Sequence, residues 1–199
     1  MKLPSVSLLV KSTGSTLLRF PFVLTSAIIG TAAAIWQIEL PYDEKDQYEF
    51  LINIILTCSL GLTLFLSLKL YSERERFSIP VMLTIQVFGV ILLILYYYLW
   101  PNKLTLISGI RYSLFTIGLH LLVSFAPYIR KLEVNGFWQY NKVLFIRILT
   151  ALLYSGVLYL GLVLAIAAID NLFDVEIDDK IYGHLWVFIA GIFNTWFFL

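Results

Sequence analysis

Six long apolar blocks, separated by short polar segments, set the pattern of this chain. The blocks cover residues 20–38, 50–70, 79–100, 104–129, 143–169 and 181–199. A helix rises 1.5 Å per residue, so about 20 apolar residues cross the roughly 30 Å hydrocarbon layer of a membrane. The pattern therefore predicts an all-α fold: one polytopic bundle of six membrane-spanning helices over residues 20–199, after a cytoplasmic lead-in over residues 1–19.

The segments between the blocks have the chemistry of turns. Residues 39–49 contain Pro41 and five acids, residues 72–76 form a charge run, and Pro101 follows the third block. Proline lacks the backbone N–H that a helix interior needs, and clustered charges do not enter the hydrocarbon layer. Each separator thus has a chemical reason to end a span.

Composition excludes an ordinary soluble protein. Of the 199 residues, 60% are hydrophobic and only 14% charged, and the mean hydropathy is +0.86. Soluble domains carry about 25% charged residues. The chain has one cysteine, Cys58, so no intramolecular disulfide can form.

The charges predict an orientation, because cytoplasmic segments of membrane proteins retain Lys and Arg. One set of alternate segments holds ten of the 14 basic residues: Lys2, Lys11, Arg19, Lys69, Arg74, Arg76, Arg130, Lys131, Lys142 and Arg147. The opposite set holds Lys45, Lys103, Arg111 and Lys180, together with ten of the 13 acids. This asymmetry predicts a cytoplasmic N-terminus.

The first block permits two interpretations. Ser26, Gly30 and Ala34 form a ridge of small residues suited to close helix packing, which favours a permanent span. Alternatively, Ala32–Ala34 resembles a signal-peptide cleavage site behind a basic stretch. The apolar run continues beyond these alanines to Ile38, so the span explains more of the sequence.

Motifs that would define a reaction are missing. The chain has no His-Glu-x-x-His zinc motif, no phosphate-binding Gly-x-x-x-x-Gly-Lys and no Gly-x-Ser-x-Gly nucleophile turn. Ser155–Gly156 is typical of close helix packing rather than of a nucleophile. We therefore predict no catalytic, cofactor-binding or metal-binding residue.

The polar side chains within the spans are the candidate functional residues. At 100° per residue, Ser113, Thr116, His120 and Ser124 share one face of the fourth block, and Arg111 points away from it. Because polar groups at this depth need partners, the stripe predicts that His120 is buried between helices beside a hydroxyl or amide. The imidazole would be either a structural hydrogen-bonding group or a proton-responsive or ligand-contacting one.

Three amides complete the intramembrane polar set. Asn53, Gln86 and Asn194 are predicted to join helices by hydrogen bonds. No Asp or Glu lies in the middle of a block, which argues against a proton-coupled carrier but not against transport of an uncharged substrate.

Two charged clusters lie outside the spans. Asp170, Asp174, Glu176, Asp178 and Asp179 lack the spacing of an EF-hand, so we interpret them as a solvated loop rather than a calcium site. The basic residues Arg130, Lys131, Lys142 and Arg147 would contact anionic lipid of the cytoplasmic leaflet. They are too few for a nucleic-acid surface, so we expect no nucleic-acid partner.

Three segments carry a family resemblance. Asn135–Lys142, Leu153–Gly161 and His184–Leu199 resemble the bacterial membrane family called domain of unknown function 4153, and the resemblance extends over most of the chain. It implies a multi-pass protein of the bacterial inner membrane with no established reaction. Family members usually continue beyond the Asn194–Leu199 segment, so we expect this chain to act with further helices of a longer chain or of a partner protein.

These features favour an envelope module with a sensing or scaffold role and no enzymatic activity. The alternative is a carrier of an uncharged or weakly charged substrate, or an intramembrane transferase. Convergence of His120, Gln86 and Asn194 on one cavity would favour the alternative.

Overall fold

The described part of the chain, residues 16–99, 105–131 and 133–199 of a computed structural model, consists of helices and turns without any strand. The all-α prediction is confirmed. Residues 1–15 of the predicted lead-in, with Lys2 and Lys11, and residues 100–104, with Lys103, lie outside the described residues.

Among the residues that the structure describes, six helical segments are long and apolar enough to cross a membrane, so the prediction of six spans is confirmed and the chain is an integral membrane protein. The helices are α1 (Pro21–Glu39), α2 (Glu49–Arg74), α3 (Ile79–Leu99), α4 (Leu106–Phe125), α5 (Val134–Phe173), α6 (Lys180–Phe188) and α7 (Asn194–Phe198). A π-helical turn, Ile189–Phe193, joins α6 to α7 and makes them one span.

Ion pairs mark the two ends of the bundle. At the end that we call the Arg19 end, Arg19 lies 2.7 Å from Glu73, and Arg74 lies 2.7 Å from Glu133. These pairs bring the start of α1, the end of α2 and the segment before α5 together. At the opposite Glu39 end, Lys180, the first residue of α6, lies 3.3 Å from Glu39 at the end of α1.

Small residues let α1 approach α2 closely. A Cβ atom on Gly30 would lie 3.0 Å from Cys58 Cβ, and one on Gly61 would lie 2.8 Å from Ser26 Oγ. In a bilayer, such close approach yields the van der Waals contact that holds helices together. Ser26 and Gly30 of the small-residue ridge on α1 therefore pack as the sequence predicts.

Helix α2 is central to the bundle and contacts α1, α3 and α4. The main core cluster lies toward the Arg19 end and comprises Phe20, Val23, Phe65, Leu66 and Val123. The outer faces of α3 and α5 remain apolar and exposed, as expected for surfaces in contact with lipid.

Helix α5 begins at Val134, not at the predicted Val143, and is 40 residues long. The pair Asn135–Gly136 suggests a turn, but aromatic packing extends the helix through it. The Tyr128 ring lies 5.7 Å from both the Phe137 and Tyr140 rings, and Gly136 leaves room for Tyr128. At 1.5 Å per residue, α5 is about 60 Å long, roughly twice what a span needs.

Two further helix ends differ from the prediction. Helix α2 continues past residue 70 to Arg74, because Ser72 donates to the Leu68 carbonyl and the last turn forms ion pairs. Helix α4 ends at Phe125, before residue 129, and a 3-10 turn over Ala126–Tyr128 follows. Pro127 lies in this turn, where its missing N–H does not interrupt the α-helix.

Candidate functional site

A cavity of about 510 Å³ lies between α4, α5 and α7, with α1 and α2 at its base. It exists because α4 and α5 contact each other sparingly. The two helices are joined near the Arg19 end, where Tyr140 donates to the Val123 carbonyl at 2.7 Å and Ser124 donates to the Asn141 side chain. Beyond that junction the helices separate, and the space between them is the cavity.

His120 lines this cavity but is exposed, so the prediction that it is buried between helices is wrong. Its Nδ1 lies 2.7 Å from the Thr116 carbonyl of the same helix. A carbonyl can only accept, so Nδ1 carries the proton. In the neutral ring, Nε2 is then an acceptor, and no described residue forms a hydrogen bond with it.

The other three residues of the predicted polar stripe on α4 have different surroundings. Ser113 is exposed and donates to the Gly109 carbonyl of its own helix, and Thr116 Oγ1 is buried without a hydrogen bond to any described residue. Only Ser124, through Asn141, meets a neighbouring helix as predicted. The prediction that the whole stripe faces into the bundle is wrong, because Ser113 is exposed and a carbonyl of its own helix satisfies its hydroxyl without a second helix.

Asn194 joins two helices, as predicted. Ser155 of α5 donates to Asn194 Oδ1 at 3.1 Å, and the Asn194 Nδ2 donor makes no hydrogen bond with any described residue. Ser155 is buried as a packing residue should be, but Gly156 faces open space, so close packing at Gly156 is not observed.

Gln86 lies away from the cavity. It is buried on α3, and its Nε2 donates to the Phe65 carbonyl of α2 at 3.4 Å, which confirms the interhelical role predicted for this amide. Of the three residues that would favour a carrier by converging, His120 and Asn194 line one cavity and Gln86 does not. Asn53 is buried on α2.

Asn141 is a cavity residue that the sequence interpretation missed. It lies outside the predicted fifth span, yet it lines the cavity and also donates to the Phe137 carbonyl at 3.0 Å. The available signal was its spacing: Phe137, Tyr140 and Asn141 lie three and four residues apart, which is the repeat of one helix face.

A smaller groove of about 190 Å³ adjoins the cavity at the Arg19 end. The two hollows share the walls Leu66, Leu144, Phe198 and Leu199, and Arg19 and Arg147 line the groove. Arg147 forms no hydrogen bond or ion pair with any described residue. Arg19 donates to both carboxylate oxygens of Glu73, and this hydrogen bonding raises the pKa of its guanidinium.

The four residues of the predicted basic cluster, Arg130, Lys131, Lys142 and Arg147, do not share one site. Lys131 lies 3.9 Å from Glu75, while Arg130 and Lys142 are exposed and line neither hollow. Of the four residues, Arg147 alone lines the groove.

The acidic segment that joins the end of α5 to α6 uses two of its five carboxylates to hold its own turn. Asp170 accepts from the Ile177 N–H at 3.3 Å, and Asp178 accepts from the Lys180 N–H at 2.9 Å. Within the described ranges, no three His, Cys, Asp or Glu residues come together in a way that could hold a metal ion.

A larger hollow of about 590 Å³ lies between α1 and α3 over α2. It includes Cys58 but none of the six candidate polar residues, and its walls are mainly aliphatic and aromatic. Such an apolar surface is suited to lipid chains.

The fold and the cavity together define a polytopic helical membrane protein with a mainly apolar hollow, which includes a few polar side chains, between loosely joined helices. Comparison of the chain with protein-family models, curated proteins and solved structures finds no match.

Proposed function

We propose that this chain is a non-enzymatic sensing module of the bacterial inner membrane, with its N-terminus in the cytoplasm, and that it belongs to the domain of unknown function 4153 family that it resembles. The single observation that carries the sensing role is the cavity between α4 and α5. It combines apolar walls with an acceptor on His120 and a donor on Asn194 that no described residue uses.

The distribution of charge supports the orientation. The Arg19 end holds eight described basic residues: Arg19, Lys69, Arg74, Arg76, Arg130, Lys131, Lys142 and Arg147. The Glu39 end holds Lys45 and Lys180, and Arg111 lies in the second turn of α4 at the same end. Lys and Arg are retained on the cytoplasmic side, so the Arg19 end is cytoplasmic in this proposal.

Reporter fusions test this orientation. Alkaline phosphatase, which is active only outside the cytoplasm, should be active when fused after Glu44 and inactive when fused after Arg76. The reverse pattern would overturn the orientation.

The sensing role requires that the cavity hold a molecule. Leu152 lines the cavity and its neighbour Leu153 does not, so Leu152→Trp and Leu153→Trp form a matched pair. In native mass spectrometry, we expect the wild type and Leu153→Trp to retain a small amphiphile that Leu152→Trp loses. Equal retention by the two variants would contradict the proposal.

A carrier of an uncharged substrate is the second candidate, because His120 and Asn194 share the cavity. The discriminating measurement is the swelling of proteoliposomes in solutions of glycerol or urea. The sensing proposal expects swelling no faster than that of protein-free vesicles, whereas faster swelling that Leu152→Trp abolishes would establish the carrier.

A further inference from the structure

The groove and the cavity adjoin along the four wall residues that they share, and together they form a hollow with a charged side at the groove and a mainly apolar side in the cavity. Arg147 and Arg19 lie at the groove, and Leu144 belongs to the walls of both hollows. Farther along α5, Phe145, Ile148 and Leu152 line the cavity. A ligand that fills the whole hollow must therefore be amphiphilic.

The charge at the groove is positive and incompletely balanced. Arg19 and Lys69 share the single carboxylate of Glu73, at 2.7 and 3.5 Å, and Arg147 has no counter-ion among the described residues. No Asp or Glu side chain of the described residues lines either hollow. A neutral or zwitterionic headgroup would leave this excess uncompensated, whereas an anionic one neutralises it.

The hollow has a size and chemistry suited to a lipid. Ligand sites in proteins enclose roughly 300–1,000 Å³, and the cavity alone has about 510 Å³. A guanidinium binds phosphate oxygens through paired N–H donors. Free phosphate would use the arginines but would leave the apolar walls of the cavity unoccupied.

We propose that this hollow binds an anionic phospholipid, with its phosphate at Arg147 and the open side of Arg19, and with one acyl chain in the cavity between α4 and α5. The inference rests on the proposed function, since it names the chemical class of the molecule that the cavity would sense. If the Arg19 end is cytoplasmic, the lipid comes from the cytoplasmic leaflet.

The test compares phosphatidylglycerol with phosphatidylcholine of identical acyl chains, each added to the full chain and counted as bound lipid by native mass spectrometry. We expect the wild type to prefer phosphatidylglycerol, and Arg147→Gln to reduce that preference about fivefold. The estimate follows because one basic residue beside anionic lipid contributes about 1 kcal/mol, and 1.4 kcal/mol corresponds to tenfold.

Two variants serve as controls. Lys142 is exposed on the same helix and lines neither hollow, so Lys142→Gln should keep the preference. Arg147→Lys keeps the positive charge and should retain most of the preference for phosphatidylglycerol. Equal loss in Lys142→Gln and Arg147→Gln would mean that general surface charge attracts the lipid, and would overturn the proposal.

The remaining outcomes separate this inference from the proposed function. If the wild type binds both lipids equally and Leu152→Trp loses both, the cavity binds an amphiphile but the anionic class is wrong. If Leu152→Trp retains the full preference for phosphatidylglycerol, the acyl chain of the lipid does not enter the cavity. Both the sensing role of the cavity and the lipid proposal then fail. If inorganic phosphate displaces phosphatidylglycerol completely, the site is one for soluble phosphate and the lipid proposal is overturned.

Discussion

In one region of the molecule, helix α2 packs closely against α1 and against α3. In the other region, α4 and α5 contact each other little, although all of these helices are highly apolar. In the most apolar stretch of α2, 44% of the residues are buried, against 6% in that of α5. In the first region, glycines face a neighbouring helix: Gly61 meets Ser26 and Leu93, and Gly89 meets Leu68 and Phe65.

Four of the five glycines of the second region have no such neighbours, the exception being Gly136 at the start of α5. A Cβ atom on any of Gly109, Gly118, Gly156 or Gly161 would meet nothing within 4 Å. Apolar surface does not by itself draw helices together in lipid, since lipid chains are equally apolar. The comparison teaches that helices of this protein associate where small residues on one helix face side chains on another, and that elsewhere they leave room for a ligand.

The largest expected effect on the free energy of unfolding comes from a glycine-to-alanine substitution, which adds one methyl group, made once in each region. Gly61→Ala places a Cβ 2.8 Å from Ser26 Oγ, and overpacking of this kind destabilises by about 1–3 kcal/mol. The same change at Gly156 meets open space and should stabilise by up to about 1 kcal/mol through helix propensity. Reversible unfolding in mixed micelles measures both, and equal effects would remove the distinction between the regions.

A smaller effect is expected at the link that attaches α5 to α7. Ser155 and Asn194 should be coupled by roughly 0.6 kcal/mol and at most about 1.7 kcal/mol, the range found for hydrogen bonds between membrane helices. A double-mutant cycle with Ser155→Ala and Asn194→Ala measures it. Exposed Ser113, paired with Asn194 in a second cycle, should give no coupling.

The ion pair that closes the Arg19 end should contribute less. Arg19 is half-exposed, so Glu73→Gln should cost about 0.2–1 kcal/mol at low salt and less at high salt. Unfolding at two ionic strengths checks this. A loss of stability in Glu73→Gln that does not depend on salt concentration would indicate a buried network of charges instead of an exposed ion pair.

The smallest effect on stability is expected from substitution of His120. Because its side chain is exposed and bonded within its own helix, His120→Leu should leave the stability of the ligand-free protein unchanged or slightly higher. Asn141→Leu, in contrast, loses bonds to Ser124 and Phe137 and should destabilise it. Thermal melts in detergent compare the stability of the two variants. A larger loss of stability in His120→Leu than in Asn141→Leu would contradict the structure.

The sequence predicts the features of this fold that depend on solvent and length. Block length and hydropathy are sufficient to predict six spans, and the spacing of Ser26 and Gly30 is sufficient to predict a closely packed helix face. The start of α5 was not predictable from local signals, because contacts of Tyr128 with Phe137 and Tyr140 override the turn preference of Asn135–Gly136.

The candidate site was only partly predictable. His120, Ser124 and Asn194 are polar residues in apolar blocks, which is a local signal, and they do line one cavity. The groove is different, because Arg19 and Arg147 come from distant segments that only the packing of α1, α2 and α5 brings to one place. Likewise, no local pattern shows that α5 stands away from α4.

The most direct test of the central claim, that an anionic lipid occupies the gap between α4 and α5, is a pair of spin-label distance measurements. Labels at exposed Ile117 and Val157 report on α4 and α5, and labels at Ile28 and Phe88 report on α1 and α3, in a Cys58→Ala background. We expect the α4–α5 distance distribution to be broad in phosphatidylcholine nanodiscs and narrow in phosphatidylglycerol nanodiscs, while the α1–α3 distribution is narrow in both. An α4–α5 distribution that is identical in the two lipids would contradict the account.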